Sequence, residues 1–372
     1  MKFYPLIALL SLLYFCTAQL SAQTKPEVVV TQGHTNHILD IAYSKNGRFL
    51  VTGSQDRSAK VWDLNLKQEF RTLNGHTDKV TNVAFMNKDQ NIVTSCKSHL
   101  IVWEHPSGKM LRKISINKNK HDFEPIPNST NIILKLEDDE NDAEYAIINI
   151  LTGKRIGSNE LSTGSTPFSP HPKDSTFVLA EHDQATSIFN ACAFNYYTGK
   201  KEKTFPGGAD VFKMIRFTPN GKYVAGAEFS GGHIWVWDYK STKVLMKKKV
   251  NVTKRPVDMQ LDKKGQFLWT MTGMGVIHVY EVKSGDLVKT LHKLNQFDAA
   301  TKTSTSCISF TMAFSPDYKN LAIGAYMMKT NMAKSRDNIE MLINVNLLDT
   351  KKGKIQAELK GNYKIINKLE TG

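Results

Sequence analysis

The chain has 372 residues, 41% of them hydrophobic, and this composition is that of a folded globular protein rather than of a disordered one. Its formal net charge of +14 favours acidic partners. Lysine is densest in residues 109–120 and 243–255, but neither run carries the interleaved aromatic side chains that base stacking requires. We therefore expect solvated basic strands and loops, and no nucleic-acid partner.

The first residues are typical of an export signal. Lys2 provides a short positive region, residues 6–15 are apolar, and small residues at the end form a cleavage region. We predict a signal peptide over residues 1–22, with cleavage after Ala18 as the alternative. Cys16 suggests a lipid anchor, which the bulky residue before it disfavours. Because no later run of about 18 apolar residues follows, we expect an exported, periplasmic or secreted protein without an integral membrane segment.

Two segments after the predicted signal peptide repeat at an offset of about 41 residues. Each begins with Gly-His-Thr, at residues 33–35 and 75–77. Each ends its third apolar stretch with Trp and an acidic residue, at residues 62–63 and 103–104. The short segments between these ends are rich in Val, Ile and Phe, which predicts strands. A period of 40 to 45 residues is typical of the four-stranded blades of a β-propeller.

The later chain keeps this spacing in two series of turn residues, which are of the types that form tight hairpins. The first series follows the third strand of each repeat, at residues 64–67, 106–109, 151–154, 197–200, 240–243, 283–286 and 351–354. The second series separates the first and second strands, at residues 44–47, 87–90, 127–130, 171–174, 218–221, 262–265 and 315–318. Both series have seven members. They predict blades at approximately 33–73, 74–115, 116–159, 160–206, 207–248, 249–292 and 293–360.

The predicted fold is all-β: a single seven-bladed β-propeller of four-stranded antiparallel blades over residues 23–372, with six or eight blades as the alternatives. No window shows the 3.6-residue period of a capped helix. One blade cannot bury both of its faces, so blades stack into a closed ring, which allows about 350 residues to form one domain. Closure needs an outer strand for the last blade, and residues 27–31 and 354–359 compete for that place, with a five-stranded last blade as the alternative.

The Gly-His and Trp-Asp pairs of the first repeat resemble those of the WD-repeat family, also called WD40. In that family a His, a Ser or Thr, an Asp and the Trp form a hydrogen-bonded network that stiffens a blade. The resemblance implies such a network from His34, Thr52, Asp56 and Trp62 in blade one. Although Ser-His-Asp triads use similar residue types, the family pattern accounts for these residues, so we expect no catalytic role for them.

Blade two departs from the family pattern. His76, Thr94 and Trp103 match it, but Lys97 occupies the position of the Asp, so we expect an incomplete network. Residues 237–238 keep the Trp-Asp ending without a Gly-His pair, and blades three, four, six and seven lack both ends of the motif. The predicted number of blades therefore depends on the turns.

Three cysteines remain after removal of the predicted signal peptide: Cys96, Cys192 and Cys307. An odd number of widely spaced cysteines is not a disulfide framework, so we interpret them as small buried side chains on strands. The sequence has no CxxC motif and no clustered Cys/His ligand set. We therefore predict no structural zinc site and no cofactor.

In a WD-repeat propeller, the loops joining strands one to two and three to four open on one face, here called the first face. The loops joining strands two to three and successive blades open on the other, the second face. The first-face turns are uniformly short, whereas residues 293–306 and 326–338 fall on the second face, and long connections tend to carry function. We predict that the second face binds the partner. Its candidate residues are His37, Arg57, Lys97, His99, Glu137, Asp138, Asp139, His182, Tyr326, Met327, Met328 and Arg336.

Two segments of this face have alternative interpretations. The acidic residues in 137–144 could hold Ca²⁺, although the spacing matches no EF-hand loop, or form a solvated acidic hairpin. The methionines of residues 326–332 suggest either an adaptable apolar contact or a disordered loop.

These observations favour a non-catalytic, monomeric scaffold that binds a protein partner. The sequence lacks the HExxH, GxSxG and phosphate-loop motifs of common enzymes. The alternative is a propeller enzyme or carbohydrate-binding lectin with its site at the central channel mouth, formed by carboxylates or histidines that converge from different blades. The Lys- and Asn-rich composition and the Ser-Ala-Gln cleavage region are similar to exported proteins of Gram-negative bacteria.

Overall fold

The protein is described by a computed structural model. The described residues are 33–116, 120–137, 143–161, 167–230, 232–250, 255–291, 296–298, 303–331, 339–360 and 364–366. The predicted signal peptide and residues 27–31 lie outside them. The structure describes no helix in this part of the chain that is both apolar enough and long enough to cross a bilayer.

The described residues form seven antiparallel sheets, and each sheet is one blade of the propeller. Blade one contains β1 (Ile38–Tyr43), β2 (Phe49–Ser54), β3 (Ser58–Asp63) and β4 (Gln68–Asn74). Blade two contains β5 (Asn82–Met86), β6 (Asn91–Cys96), β7 (His99–Glu104) and β8 (Met110–Ser115). Blade three contains β9 (Lys120–Pro125), β10 (Asn131–Glu137), β11 (Ala143–Asn149) and β12 (Arg155–Leu161). Blade four contains β13 (Phe168–Pro170), β14 (Thr176–Asp183), β15 (Ile188–Asn195) and β16 (Lys201–Gly208).

The remaining three sheets complete the propeller. Blade five contains β17 (Phe212–Phe217), β18 (Tyr223–Glu228), β19 (His233–Asp238) and β20 (Val244–Lys249). Blade six contains β21 (Pro256–Leu261), β22 (Phe267–Thr272), β23 (Ile277–Glu281) and β24 (Leu287–Leu291). Blade seven contains β25 (Gln296–Asp298), β26 (Thr303–Phe314), β27 (Asn320–Asn331), β28 (Ile339–Asp349), β29 (Lys354–Lys360) and β30 (Lys364–Ile366). The prediction of an all-β, seven-bladed propeller is confirmed.

Each predicted turn lies between the strands that it was expected to connect. The turns depend on positive backbone φ angles, as at Gly221, where φ is +74°. A side chain at Gly221 would also lie 2.4 Å from Nε2 of His171 in the neighbouring blade. Glycine is therefore required there for both conformation and space.

The apolar cores lie between neighbouring blades, which explains why one blade is not a folding unit. Ile38 and Trp62 of blade one pack with Ala322, Val345 and Leu359 of blade seven, and this cluster closes the ring. Leu359 belongs to β29, which pairs with β28 along the outer edge. Of the two candidates for the outer strand, residues 354–359 therefore occupy the place.

Blade seven departs from the predicted four-stranded blade. Its strands β26, β27 and β28 are 12, 12 and 11 residues long, and β25 and β30 pair at the edges. Residues 303–309 pair with residues 325–331, so the hairpin continues beyond the ring on the second face. The prediction that residues 326–338 form a loop is wrong for 326–331, because their strand pairing with β26 and β28 could not be read from local composition.

Candidate functional site

The blade-one network is a connected chain of hydrogen bonds. His34 Nδ1 lies 2.8 Å from Asp56 Oδ2, and His34 Nε2 lies 2.7 Å from Thr52 Oγ1. The Trp62 indole N–H donates to the same hydroxyl over 2.9 Å. With the proton on Nδ1, the neutral imidazole donates to Asp56 and accepts from Thr52, so every buried polar group has a partner.

Asp56 is held ionised in this network. Burial alone would raise the pKa of its carboxyl group. The hydrogen bonds from His34, from the Ser58 hydroxyl and from the Thr35 backbone outweigh burial and lower that pKa well below its usual range. The network therefore stiffens the link between the strand connections on the second face, which is a structural role.

In blade two the corresponding network lacks the carboxylate. His76 Nε2 lies 2.6 Å from Thr94 Oγ1, and the Trp103 N–H donates to Thr94 over 2.8 Å. Nδ1 of His76 is buried and has no hydrogen-bond partner among the described residues. Burial, with the nearby His99 and Lys113, lowers the pKa of His76 to about 3. Lys97 is exposed in the turn and does not replace the carboxylate.

A cluster of three metal-ligand types surrounds this unpartnered nitrogen. Ligand atoms of His76, Cys96 and His99 all lie within 4.8 Å of one another, and all three residues are buried. The two imidazoles stack with their centroids 5.0 Å apart, and Cys96 Sγ is 3.5 Å from each ring nitrogen of His99. The sequence shows no clustered Cys/His set, but the hairpin register brings these three residues together in the fold.

The cysteine interpretation holds for two of the three residues. Cys96 and Cys192 are free and buried on strands β6 and β15. The side chain of Cys307 lies outside the described part of the structure. Burial raises the pKa of the Cys192 thiol to about 12, and the neighbouring Glu181 adds to the rise. Cys192 is thus a neutral core side chain.

The central channel is lined by first strands of several blades and encloses a cavity of about 410 Å³. Carboxylates from three blades converge there, as the alternative enzyme or lectin hypothesis requires. Their oxygens are engaged: Asp40 accepts the backbone N–H of Val83 and Asp258 that of Met312, each over 2.8 Å. Each bond joins one blade to the next, so these carboxylates serve as ties between blades.

The remaining charged groups of the channel are also paired. Glu124 lies 3.2 Å from Nη1 of Arg216, and Asp122 accepts from the side-chain amide of Asn82 over 2.5 Å. Burial raises the pKa of Asp40 to about 8, and that of Asp258 to about 6 despite the nearby Arg216. It raises the pKa of Glu124 to about 7, also against the effect of Arg216.

These raised pKa values predict that the folded protein becomes less stable as the carboxyl groups of the channel lose their protons. Above about pH 6.5, where histidines such as His76 are neutral in both states, Asp40 and Glu124 still bind protons in the folded protein that the unfolded chain has lost. The free energy of unfolding should therefore fall as the pH rises from about 6.5 to 8. Calorimetric Tm values across this window should therefore decrease, and Asp40→Asn should weaken the decrease between about pH 6.5 and 8.5. A variant with the slope of the unaltered protein would contradict this prediction.

The predicted partner-binding residues are not all accessible. His99, Glu137 and Met327 are buried, so they cannot form a contact surface. Glu137 pairs with Lys135 over 2.6 Å, and Met327 packs in the core between blades six and seven. These three residues belong to strands β7, β10 and β27, which are buried along most of their length, and the interpretation as loops missed this.

The other candidates are distributed around the second face. Arg57, Lys97 and His182 are exposed at the connections between second and third strands. Met328 lies in β27, outside the described side chains. Asp138, Asp139 and Arg336 lie outside the described residues. The proposal of a Ca²⁺ site in residues 137–144 therefore stays untested for most of its ligands.

An aromatic cluster marks the junction of blades one and seven on the second face. The His37 ring meets Tyr326 edge-on at 4.2 Å between centroids and approaches Phe310 at 5.5 Å. Burial lowers the pKa of His37. Phe310 remains 40% exposed and Ile308 37% exposed, beside the channel mouth. Exposed apolar side chains that adjoin in this way are typical of contact surfaces.

The first face contains cavities that its short turns did not predict. Cavities of about 480 and 700 Å³ lie between its turns, at blades one to three and at blades one and seven. The turns are tied to one another: Asp89 accepts the backbone N–H groups of Lys45 and Asn46 over 2.7 and 3.1 Å. This face is therefore held rigid by contacts between neighbouring turns.

Blade five contains a second polar network that sequence reasoning missed. The buried Glu228 accepts the indole N–H of Trp235 over 2.9 Å and contacts His233 Nδ1 at 2.7 Å. The signal was the HIWVWD segment, where a second Trp stands two residues before the Trp-Asp ending. A carboxylate, an imidazole and an indole thus stabilise this blade in a different arrangement.

Comparison with known proteins supports WD40 repeats in the first part of the chain. Residues 25–63 and 67–104 match the family described as WD domain, G-beta repeat. The chain is 21% identical over 221 residues to the serine-threonine kinase receptor-associated protein of Homo sapiens, covering 59% of this chain and 60% of that protein. It is 27% identical over 115 residues to THO complex subunit 3 of Arabidopsis thaliana, covering 29% and 36%. The chain thus spans 60% of the length of the first of these relatives.

Proposed function

We propose that this propeller, whose first two blades are WD40 repeats, is a non-catalytic scaffold that binds a protein partner on its second face. The observation that carries the proposal is the exposed cluster around Phe310, which adjoins the channel mouth and the extended hairpin of blade seven. A partner that covers Phe310 and Ile308 would remove apolar surface from water, which is favourable.

The extended hairpin supplies a second element of this surface. Its extra residues, about six on each long strand, reach roughly 20 Å beyond the ring at 3.3 Å per residue. The hairpin therefore stands beside the second face as a wall, and a partner can contact the face and the wall together. The net charge of +14 favours a partner with an acidic surface.

The relatives support a role in assembly. One is named as a protein associated with a receptor, and another as a subunit of a complex. The propeller enzyme or lectin is not favoured, because the channel carboxylates are engaged between blades or by Arg216. We propose that the scaffold itself is monomeric.

Replacing Phe310 by Asp should weaken partner binding roughly thirtyfold, since a central apolar contact contributes about 2 kcal/mol and the new carboxylate must be desolvated. The measurement is affinity capture from an extract of the source cells, followed by titration of the captured protein against both forms. The melting temperature of the variant should change little, because Phe310 is 40% exposed.

Leu151→Asp is the matched control for this experiment. Leu151 is 44% exposed on a first-face turn, so the substitution adds the same charge at similar exposure on the opposite face. It should leave the affinity unchanged. If Leu151→Asp weakened binding and Phe310→Asp did not, the partner would bind the first face.

We further propose that residues 1–22 direct export and that the source is bacterial. The proposal is supported by the positive, apolar and small-residue regions of that segment, and by the Lys- and Asn-rich composition. The relatives described above come from an animal and a plant. Sequencing the N-terminus of protein recovered from a periplasmic or secreted fraction tests export, and an intact Met1 would contradict it.

A further inference from the structure

The hairpins between the second and third strands of blades one and two place different chemistry at the same positions. In blade one, Thr52 pairs with Lys60, and in blade two Thr94 pairs with Ile101. Counting toward the turn from these pairs, Cys96 corresponds to Ser54, and its partner His99 corresponds to Ser58. Blade two thus carries a thiol and an imidazole where blade one carries two hydroxyls.

The blade-two turn is also one residue shorter. Blade one has three residues between Ser54 and Ser58, including Asp56, whereas blade two has only Lys97 and Ser98 between Cys96 and His99. The shorter turn therefore has no counterpart of the Asp56 carboxylate, which binds the histidine in blade one. Nδ1 of His76 is buried without a hydrogen-bond partner among the described residues, whereas the corresponding nitrogen of His34 binds Asp56.

One pair of donors already has the separation that a small ion requires. Around a tetrahedral Zn²⁺, bond lengths of about 2.3 Å to sulfur and 2.0 Å to nitrogen put these two atoms about 3.5 Å apart. The Cys96 sulfur lies 3.5 Å from the ring nitrogens of His99. All three donors lie within 4.8 Å of one another, so the widest separation must shorten by up to roughly 1.5 Å to complete the set.

Outer contacts already orient both imidazoles. Thr94 holds Nε2 of His76 at 2.6 Å, which directs Nδ1 toward the cluster. His99 forms a hydrogen bond with the Gly75 backbone, and its Nδ1 lies 2.8 Å from the Ser98 hydroxyl, which can rotate away. Metal-binding histidines typically have such a second partner on the other ring nitrogen.

We propose that His76, Cys96 and His99 form a binding site for a thiophilic transition-metal ion, Zn²⁺ by preference, beneath the second face of blade two. A thiolate and two imidazoles are ligands that Zn²⁺ accepts, and a water molecule or Ser98 would fill the fourth position. On binding, the Cys96 thiol releases its proton to solvent and the sulfur forms the bond to the ion. The exposed Lys97–Ser98 turn covers the cluster and provides the way in.

The bound ion would complete blade two as Asp56 completes blade one. It gives the unpartnered His76 nitrogen a partner and links the blade-to-blade connection, which carries His76, to the β6–β7 turn. The site therefore predicts a stability effect as well as binding. It does not depend on the proposed partner or on Phe310.

The test uses the purified full-length protein, reduced and freed of metal by a chelator. Zn²⁺ should bind with one equivalent per chain in a competition titration and raise the Tm, because it binds the folded state. Co²⁺ should give the ultraviolet absorption of a cobalt–thiolate bond. Cys96→Ser and His99→Ser introduce the residue that blade one has at each position, so both variants should fold. Each should weaken Zn²⁺ binding about a hundredfold or more, since loss of a ligand exceeds the effect of an outer contact.

Cys192→Ser is the matched control, because Cys192 is the other buried cysteine with a described side chain. It should keep the stoichiometry, the cobalt–thiolate absorption and the increase in Tm. The proposal is overturned if the unaltered protein binds less than one equivalent without thiolate absorption. It is also overturned if folded Cys96→Ser, checked by circular dichroism, binds Zn²⁺ as tightly as the unaltered protein does.

Discussion

Ending the chain at Gly353 should destabilise the propeller by about 5 kcal/mol or more, which is comparable to the whole stability of many domains. The truncation removes β29 and β30. Leu359 is buried in the cluster that joins blades one and seven, and loss of such a leucine costs about 2 to 5 kcal/mol by itself. The outer edge of β28 would lose its hydrogen bonds as well. Urea unfolding monitored by tryptophan fluorescence measures the effect.

Removing residues 27–31 is the matched control for this truncation. That segment was the other candidate for the outer strand, and β29 already fills the place. The control chain should unfold at the same urea concentration as the unaltered protein. Equal stability of the chain that ends at Gly353 would show that β29 does not close the ring.

The number of blades could be predicted because turns depend on local chemistry. Positive φ angles at Gly108, Gly153 and Gly199 are requirements of single residues, and they recur in sequence at the blade period. The WD40 signature was less informative, since blades three, four, six and seven form without it. Their stability comes from apolar strands packed between neighbouring blades, which many sequences satisfy.

The extension of blade seven could not be predicted in this way. Residues 326–331 are polar or methionine-rich and were interpreted as a loop, but they pair with residues 303–308, which lie 18 to 28 positions earlier. Such pairing depends on register rather than on local propensity. The burial of Met327 and Glu137 was missed for the same reason, because both residues lie in strands, β27 and β10, that are buried along most of their length.

The metal-ligand cluster had a signal in the sequence that spacing motifs do not capture. His76 and Cys96 are twenty residues apart, so no compact motif exists. Aligning blade two on blade one residue by residue puts Cys96 and His99 on Ser54 and Ser58, beside the His–Thr contact that both blades share. Comparison of repeats within one chain thus reveals substitutions that a motif search overlooks. The channel carboxylates had no comparable signal, because they converge only when the ring closes.

Replacing Thr52 by Val should destabilise blade one by about 2 to 5 kcal/mol. Valine fills the same space, so the change removes the hydroxyl without leaving a cavity. The indole N–H of Trp62 then loses its acceptor and His34 Nε2 loses its partner, both in a buried place. Each unsatisfied buried group costs about 1 to 3 kcal/mol. The urea midpoint and the Tm should both fall.

Thr270→Val is the control, because it measures the cost of removing a buried threonine hydroxyl that belongs to no such network. Thr270 is the fourth residue of β22 in blade six, as Thr52 is of β2 in blade one, and both are buried. The Thr270 hydroxyl has one weak acceptor, the His278 carbonyl at 3.4 Å, so its removal should cost no more than about 1 kcal/mol. Equal losses for the two variants would mean that the blade-one network adds nothing beyond an ordinary buried threonine. A large difference would measure what the His, Asp and Trp contribute together, since these groups are satisfied only as a set.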